Sequence, residues 1–541
     1  MGAYLNSISA YTLYKNESVK PYFVDKTQML DEIIPMVSEG SNYICITRPR
    51  RFGKTVMANL IASFFSMGCD ASDIFDSLKI AKNKAYREHL NKHNVIRISL
   101  NELPRRCKTY DQYIDRVETL LITDLKESYP DVLIRDDEAV WDILSRIHAE
   151  KSAKFVFVLD EWDYIFHRKF VTEEDKGAYI EFLSSLLKDK PYVSFAYMTG
   201  ILPIAKYSSG SELNMFLEYT MASEERFSSY FGFTESEVDV LFSKYSQLCS
   251  QRNVSREGLR IWYDGYHTCV GERVYNPRSV VASLANNNLG NYWTSSGPYD
   301  EIFYYIENNV ADVRDDLALM VSGMPVPAKV QEYAATSMNL NTKDEIFSAM
   351  VVYGFLSYEE GKVSIPNKEL MDKFNDMLRK EQSLGYVYQL AKASERMLKA
   401  TISQDTDTML SILEFAHNTE IPLLSYNNES DLTAIVNLVY LAARDFYRIE
   451  REDKAGIGYV DFIFYPELDA NADSIILELK VNHTPEEAIQ QIKDKQYALR
   501  FQPKLGENPK YTGRILAVGI AYNKEEKKHS CKIEVLNEIM P

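Results

Sequence analysis

Residues 44–65 read as a short apolar strand that turns abruptly into Gly53-Lys54-Thr55 and continues as an apolar helix, and no other stretch limits the fold so strongly. Strand, tight turn and helix in that order leave backbone N–H groups open at a helix start, where they cradle anionic oxygens. Lys54 is then placed to reach the β- and γ-phosphates of a nucleotide, and the Thr55 hydroxyl to ligand Mg²⁺. One departure from the generic pattern stands out. Arg48 occupies the place, five residues before Gly53, where that pattern has Gly, so the loop backbone is expected to follow a different path there.

Gly-Lys-Thr gains weight from a partner downstream. The run Phe-Val-Phe-Val-Leu-Asp at 155–160 ends in Asp160-Glu161, as suits a central parallel strand delivering acids at its C-terminal end. Asp160 is expected to hold Mg²⁺ through its water shell, and Glu161 to polarise the water that attacks the γ-phosphate. Carboxylates also gather at helix starts for dipole reasons alone, but the upstream motif favours the metal reading.

A length of 541 residues exceeds one ordinary domain; at about 150 residues each, three or four are expected. We divide the chain into a P-loop domain over 1–230, a helical lid over 231–297, a winged-helix-like region over 298–372, a helical linker over 373–404 and a last α/β domain over 405–541. Strands are expected at 42–47, 95–100, 155–160 and 193–199. The alternation of these strands with helical stretches is the pattern of a parallel sheet covered by helices. Thr199, at the end of the last of these strands, lies where a polar group senses a γ-phosphate, although a plain strand end reads as well. Two β runs around Glu359-Glu360-Gly361 predict a hairpin, the wing of the winged-helix-like region.

The six cysteines include no C-x-x-C pair, which argues for a reducing cytoplasm and against a disulfide framework or zinc ribbon. No apolar stretch is long enough for a bilayer, so no membrane partner is expected. A net charge of −17 disfavours indiscriminate coating of nucleic acid while leaving room for a local basic channel.

A second constellation stands near the C-terminus. Two strand-like runs, 456–465 and 474–480, flank a polar turn and carry Asp461 on the first and Glu478 and Lys480 on the second. Glu478 and Lys480 are two apart on a strand and so point the same way, while Leu477 and Leu479 point oppositely, toward a core. A metal ion accounts for them: Asp461 and Glu478 are hard oxygen ligands for Mg²⁺ or Mn²⁺, and Lys480 orients the attacking water or stabilises charge as a phosphodiester is cleaved. A surface hairpin with a salt bridge is the plainer alternative. Glu429 is a third candidate ligand, or only a helix-start carboxylate. Gln491, Lys495 and Tyr497 approach the same edge from a following helix, and His483 reads as a loop or hydrogen-bonding residue.

These segments, with Asp25-Lys26-Thr27, Thr199-Gly200, Phe231-Gly-Phe-Thr-Glu235, Trp262-Tyr-Asp-Gly-Tyr266 and Tyr275-Asn-Pro277, make the chain resemble a bacterial and archaeal family that joins an AAA-ATPase-like domain to a C-terminal PD-(D/E)XK nuclease-like domain. Arg in place of the first loop Gly is itself that family's form, and Trp162 stands where members typically have Tyr. The resemblance implies a P-loop NTPase sheet with a lid, followed by a restriction-endonuclease-like α/β domain. It implies ATP binding and hydrolysis through Lys54, Thr55, Asp160 and Glu161, with loop residues Arg50, Arg51, Phe52 and Gly53 around the nucleotide. Arg50 and Arg51 are placed to contact phosphates; an arginine from a second copy in a homo-oligomer is the alternative. The expected activity is an ATP-regulated, metal-dependent nuclease acting on DNA or RNA, in defence or mobile-element biology. The alternative is a nucleotide-dependent switch whose C-terminal domain binds nucleic acid or a partner without cutting.

Overall fold

The computed structural model describes residues 2–40, 42–135, 137–204, 212–221, 225–293, 310–330, 340, 342–418, 429–455, 458–467, 469–501 and 511–536, with backbone alone at 310–312, 418, 429–431, 452–455 and 458. The chain divides into two compact units, Met1–Tyr299 with Pro327–Glu369, and Asp300–Val326 with Leu370–Pro541.

In the first unit, β1 (Asn42–Thr47), β2 (Asn94–Ser99), β3 (Phe155–Asp160), β4 (Val193–Gly200) and β5 (Leu217–Tyr219) form one parallel sheet in the order β2-β3-β4-β1-β5. β3 and β4 are buried from end to end, which is why they read as nearly unbroken apolar runs. Val156 and Val158 of β3 join a core with helices Met29–Glu39 and Lys54–Phe65; Phe155, Phe157 and Leu159 join another with helices Tyr110–Ser128, Val140–Lys151 and Glu173–Leu187. Register pairs Ser99 with Asp160, Asp160 with Thr199, and Thr199 with Ile46. The C-terminal ends of four strands are thereby brought level at the edge where open parallel sheets take ligands.

Helices Glu235–Leu248, Arg256–Tyr263 and Pro277–Asn286 follow, and they share a core of Val238, Leu241, Tyr245, Leu259, Tyr263, Tyr275 and Val280. Their starts are written in the sequence. Thr234 and Glu237 form a capping box, and Asn276 caps the helix whose first residue is Pro277. Gly265 sits at φ 100°, and a Cβ there would lie 1.9 Å from the Pro366 carbonyl oxygen. After the short antiparallel pair β6 (Tyr266–His267) and β7 (Arg273–Val274), the expected hairpin is present as β8 (Ser357–Glu359) and β9 (Lys362–Ser364), closed by Glu360 and Gly361 at φ 47° and 78°, the left-handed pair that two-residue hairpin loops require. Helix Lys343–Tyr353 precedes it.

The second unit carries β10 (Tyr447–Ala455), β11 (Gly458–Pro466), β12 (Ser474–Val481), β13 (Ile515–Asn523) and β14 (Lys528–Leu536) as one sheet in that order. All neighbours are antiparallel except β12 and β13, which are parallel and joined through helix Pro485–Asp494. Gly519 of β13 makes room for that crossover, since a Cβ there would lie 2.4 Å from the Pro485 carbonyl oxygen. Helices Tyr386–Ser403 and Glu429–Val439 are tied by the Thr401 and Tyr440 hydroxyls, 2.6 Å apart, and the Tyr440 ring packs on Phe464 of β11. No helix among the described residues is long and apolar enough to cross a membrane.

Candidate functional site

The loop between β1 and helix Lys54–Phe65 turns through two left-handed residues, Arg51 at φ 71° and Gly53 at φ 90°, the latter capping the helix. Lys54 is buried and donates to the carbonyls of Arg48 and Pro49, at 2.8 and 2.9 Å. Burial lowers its pKa to about 8, against Asp163, Asp160 and Glu161, which raise it. Arg48 explains its own presence in place of Gly. Its buried guanidinium donates to the carbonyls of Thr47 and Tyr219 at 2.7 and 2.8 Å and lies 5.0 Å over the Phe231 ring, so it pins the loop's root to β5. Phe52 is buried edge-on against Tyr266, whereas Arg50 is half-buried and Arg51 exposed.

Asp160 is buried at the end of β3. Burial raises its pKa; Arg97, with Nη2 3.9 Å from Oδ2, and a hydrogen bond from Thr55 lower it. Its Oδ1 is buried with no hydrogen-bond partner among the described residues. Glu161 follows at φ 54°, a strained conformation for a residue with a side chain, and its Oε2 accepts from Asn101 Nδ2 at 2.8 Å. Asp163 is structural, accepting from the amides of Ile201 and Leu202. Thr199 is fully buried and donates its hydroxyl to the Ile46 carbonyl at 2.8 Å, so contact with a phosphate requires that bond to be exchanged.

In the second unit, β11 pairs with β12 through Phe462 opposite Leu477, and continuing that register one step sets Asp461 opposite Glu478. There the ladder gives way to a side chain: Asp461 Oδ2 accepts the Leu479 N–H at 2.7 Å. Glu478 does not stand on an open face. It is buried beneath helix Pro485–Asp494, whose Gln491 donates to its Oε1, and Lys480 Nζ lies 3.4 Å from the same oxygen. Oε2 is buried with no hydrogen-bond partner among the described residues. Burial, reinforced by the Asp461 charge, pushes the Glu478 pKa up to about 8, against the pull of Lys480.

Gln491 also bonds the Tyr497 hydroxyl, which in turn donates to the Tyr459 carbonyl. Lys495 is exposed, and His483 bonds Glu487 at 2.7 Å, as a loop residue would. Glu429 opens helix Glu429–Val439, but its side chain lies outside the described residues.

Among the described residues no three His, Cys, Asp or Glu side chains gather as a metal cluster, so each centre offers two oxygen ligands: Thr55 and Asp160, and Asp461 and Glu478. Those sets fit Mg²⁺, a hard ion that keeps several waters, and the unpartnered buried oxygens of Asp160 and Glu478 are what a cation would satisfy. Arg48 stood out in the sequence only as a departure from the loop pattern, without its role, and Arg97 and Asn101 escaped the sequence reading. Of the last two only Asn101 left a signal there, as a lone polar residue just past a strand next to the one ending in Asp160-Glu161.

Residues 7–209 match the family described as a predicted AAA-ATPase, and residues 428–530 match the PD-(D/E)XK nuclease superfamily. The chain joins an AAA-ATPase-like domain to a PD-(D/E)XK nuclease-superfamily domain. An uncharacterised protein in the vnfD 5′ region of Azotobacter chroococcum is 26% identical over 282 residues, 51% of each chain, so the chain spans about half the length of that curated relative. Among solved structures, similarity extends to the Walker-type ATPase PABY2304 of Pyrococcus abyssi, with a TM-score of 0.37 and 10% identity over 64% of this chain and 94% of that one. The Aeropyrum pernix ORC2 protein in its ADPNP–ADP complexes gives a TM-score of 0.34 and 11% identity over 69% of this chain and 94% of that one. The AAA-ATPase-like match spans the strands of the parallel sheet except β5, and the nuclease-superfamily match includes β10, β11, β12 and β13 in full.

Proposed function

We propose that the AAA-ATPase-like domain binds and hydrolyses Mg-ATP, and that its nucleotide state regulates a metal-dependent phosphodiesterase in the C-terminal domain that cuts DNA or RNA. The observation that supports this best is the pairing, in each centre, of a buried carboxylate oxygen without a hydrogen-bond partner with the charge of a lysine. Asp160 feels the Lys54 charge, and Lys480 Nζ lies 3.4 Å from Glu478. Structural carboxylates buried in a core are normally saturated with donors.

At the first centre Lys54 exchanges the carbonyls of Arg48 and Pro49 for phosphate oxygens, and the amides at the helix start receive the rest of the anion. Asn101 holds one oxygen of Glu161, leaving the other to polarise the attacking water. At the second centre Gln491 fixes Oε1 of Glu478 and turns Oε2 outward from that bond, while the Leu479 amide orients Asp461. A bound Mg²⁺ or Mn²⁺ supplies an activated water and neutralises charge on the phosphodiester. Lys480 stabilises the negative charge that grows as the phosphate is attacked. The pairing of such domains suits defence against foreign DNA or mobile-element biology.

A second reading draws on there being two acids, not three, around the rear centre among the described residues. In it the chain is a nucleotide-dependent switch whose C-terminal domain binds nucleic acid or a partner without cleaving. Purified protein incubated with plasmid and oligonucleotides, with Mg²⁺ or Mn²⁺ and with or without ATP, separates the two. Cleavage lost in Lys480→Ala, and insensitive to ATP in Lys54→Ala, is the expected result. Intact substrate under every condition for the unmodified chain, with ATP still turned over, favours the switch.

A further inference from the structure

Tyr459 is 68% exposed, the most exposed large apolar or aromatic side chain among the described residues of the second unit. It lies on β11 two residues before Asp461, so strand alternation places it on the face that carries Asp461 and, across the register, Glu478. Two residues of strand separate the ring from the acid by roughly 7 Å. The ring's base is held rigidly. The Tyr459 carbonyl accepts the Tyr497 hydroxyl, Tyr497 bonds Gln491, and Gln491 donates to Glu478. The backbone that carries a solvent-facing aromatic ring is thus tied to the acids by a continuous run of hydrogen bonds.

Core packing does not account for such a ring, since most of it meets water. Electrostatic grip on a phosphate backbone is also limited here. The chain carries a net charge of −17, Lys480 is mostly buried, Lys493 and Lys532 are paired with Glu534 and Glu486, and the exposed Lys495 adds a single charge to these. Nucleic acid binding that cannot draw strongly on counterion release needs another source of affinity, and a base stacked on an aromatic ring contributes it without regard to sequence. Bases inside a duplex have both faces covered by neighbours; an unpaired base does not.

We propose that Tyr459 is a stacking platform for an unpaired base beside the Asp461–Glu478–Lys480 centre, and that the C-terminal domain therefore takes single-stranded nucleic acid or the frayed or flapped end of a duplex. The proposal rests on the phosphodiesterase reading for the role of the neighbouring acids, and it names the substrate class of that same centre.

The test uses the full chain carrying Lys480→Ala, in Ca²⁺, so that binding is read without cleavage. Fluorescence anisotropy compares a labelled 20-nucleotide oligothymidylate with a blunt duplex of equal length. The single strand should bind at least tenfold more tightly. Adding Tyr459→Ala should weaken it by about 5- to 150-fold, Tyr459→Leu nearly as much, and Tyr459→Phe hardly at all, with duplex affinity unmoved. An oligonucleotide containing 2-aminopurine should show fluorescence quenching with Tyr or Phe at 459 and none with Leu, a signature that a merely structural role would not produce. Equal single-strand binding by the Ala and Tyr forms, or a preference for duplex, overturns the proposal. Cleavage by the Lys480 form separates this from the broader reading. Tyr459-dependent binding without cleavage in Mg²⁺ or Mn²⁺ leaves the platform standing and removes the phosphodiesterase, whereas cleavage indifferent to Tyr459 does the reverse.

Discussion

The Lys54 ammonium is bonded to the Arg48 carbonyl at 2.8 Å, six residues back along its own loop, so the cation proposed to meet phosphate is held here by its own loop. Lys54→Met removes both the proposed phosphate ligand and the donor to two buried carbonyls. ATP affinity should fall by roughly ten- to a hundredfold in calorimetric titration, and the nucleotide-free protein should lose about 1–3 kcal/mol of stability in denaturant unfolding, because charge-assisted bonds to buried groups are worth that much. A change in affinity with no loss of stability would mean that the lysine is not holding the loop.

Asn101 and Glu161 should separate binding from hydrolysis. Glu161→Gln keeps the hydrogen bond to Asn101 but loses the base, so steady-state ATP turnover should drop about 10²- to 10⁴-fold with ATP binding retained. Asn101→Ala leaves the base unanchored, and kcat should fall about tenfold at unchanged KM.

Glu478 sets a pH dependence. Its pKa is raised from 4.5 to about 8, so the folded chain takes up a proton that the unfolded chain lacks. The stability this contributes is complete below about pH 4.5 and is lost as pH rises through about 8. Thermal unfolding of the metal-free protein should therefore show a decline from pH 5 to 9, worth on the order of 4 kcal/mol, that is flattened in Glu478→Gln. Mn²⁺ should oppose the decline in the unmodified chain and leave the variant unmoved.

Gly265→Ala should destabilise the first unit by about 3 kcal/mol or more. The residue sits at φ 100°, and its new methyl would fall 1.9 Å from a backbone oxygen that cannot swing away. Gly53→Ala, at φ 90° with open space around it, should cost only the backbone strain, about 1 kcal/mol.

Much of the parallel sheet was legible because a strand buried on both faces must be apolar throughout. β1 and β3 were read at their observed bounds, and β2 and β4 within one residue. β5 was missed: three residues long, with Leu217 exposed, it carries no periodic signal. The Asp461–Glu478 juxtaposition was legible because strand alternation and a short polar turn fix which side chains meet. That Glu478 lies under a helix was not, since this depends on a crossover admitted by Gly519, 41 residues further on. Arg48 looked like a departure from a loop pattern because the carbonyl that explains it, on Tyr219, is 171 residues away.

Crystals of the full chain soaked with ADP and Mn²⁺, and measured at the manganese absorption edge, test the two-centre account most directly. Two anomalous peaks are expected, one against Thr55 and Asp160 and one between Asp461 and Glu478. A map with nucleotide bound yet no peak beside Glu478 would contradict the metal-dependent second centre, and a map with neither nucleotide nor manganese at Lys54, Thr55 and Asp160 would contradict the first.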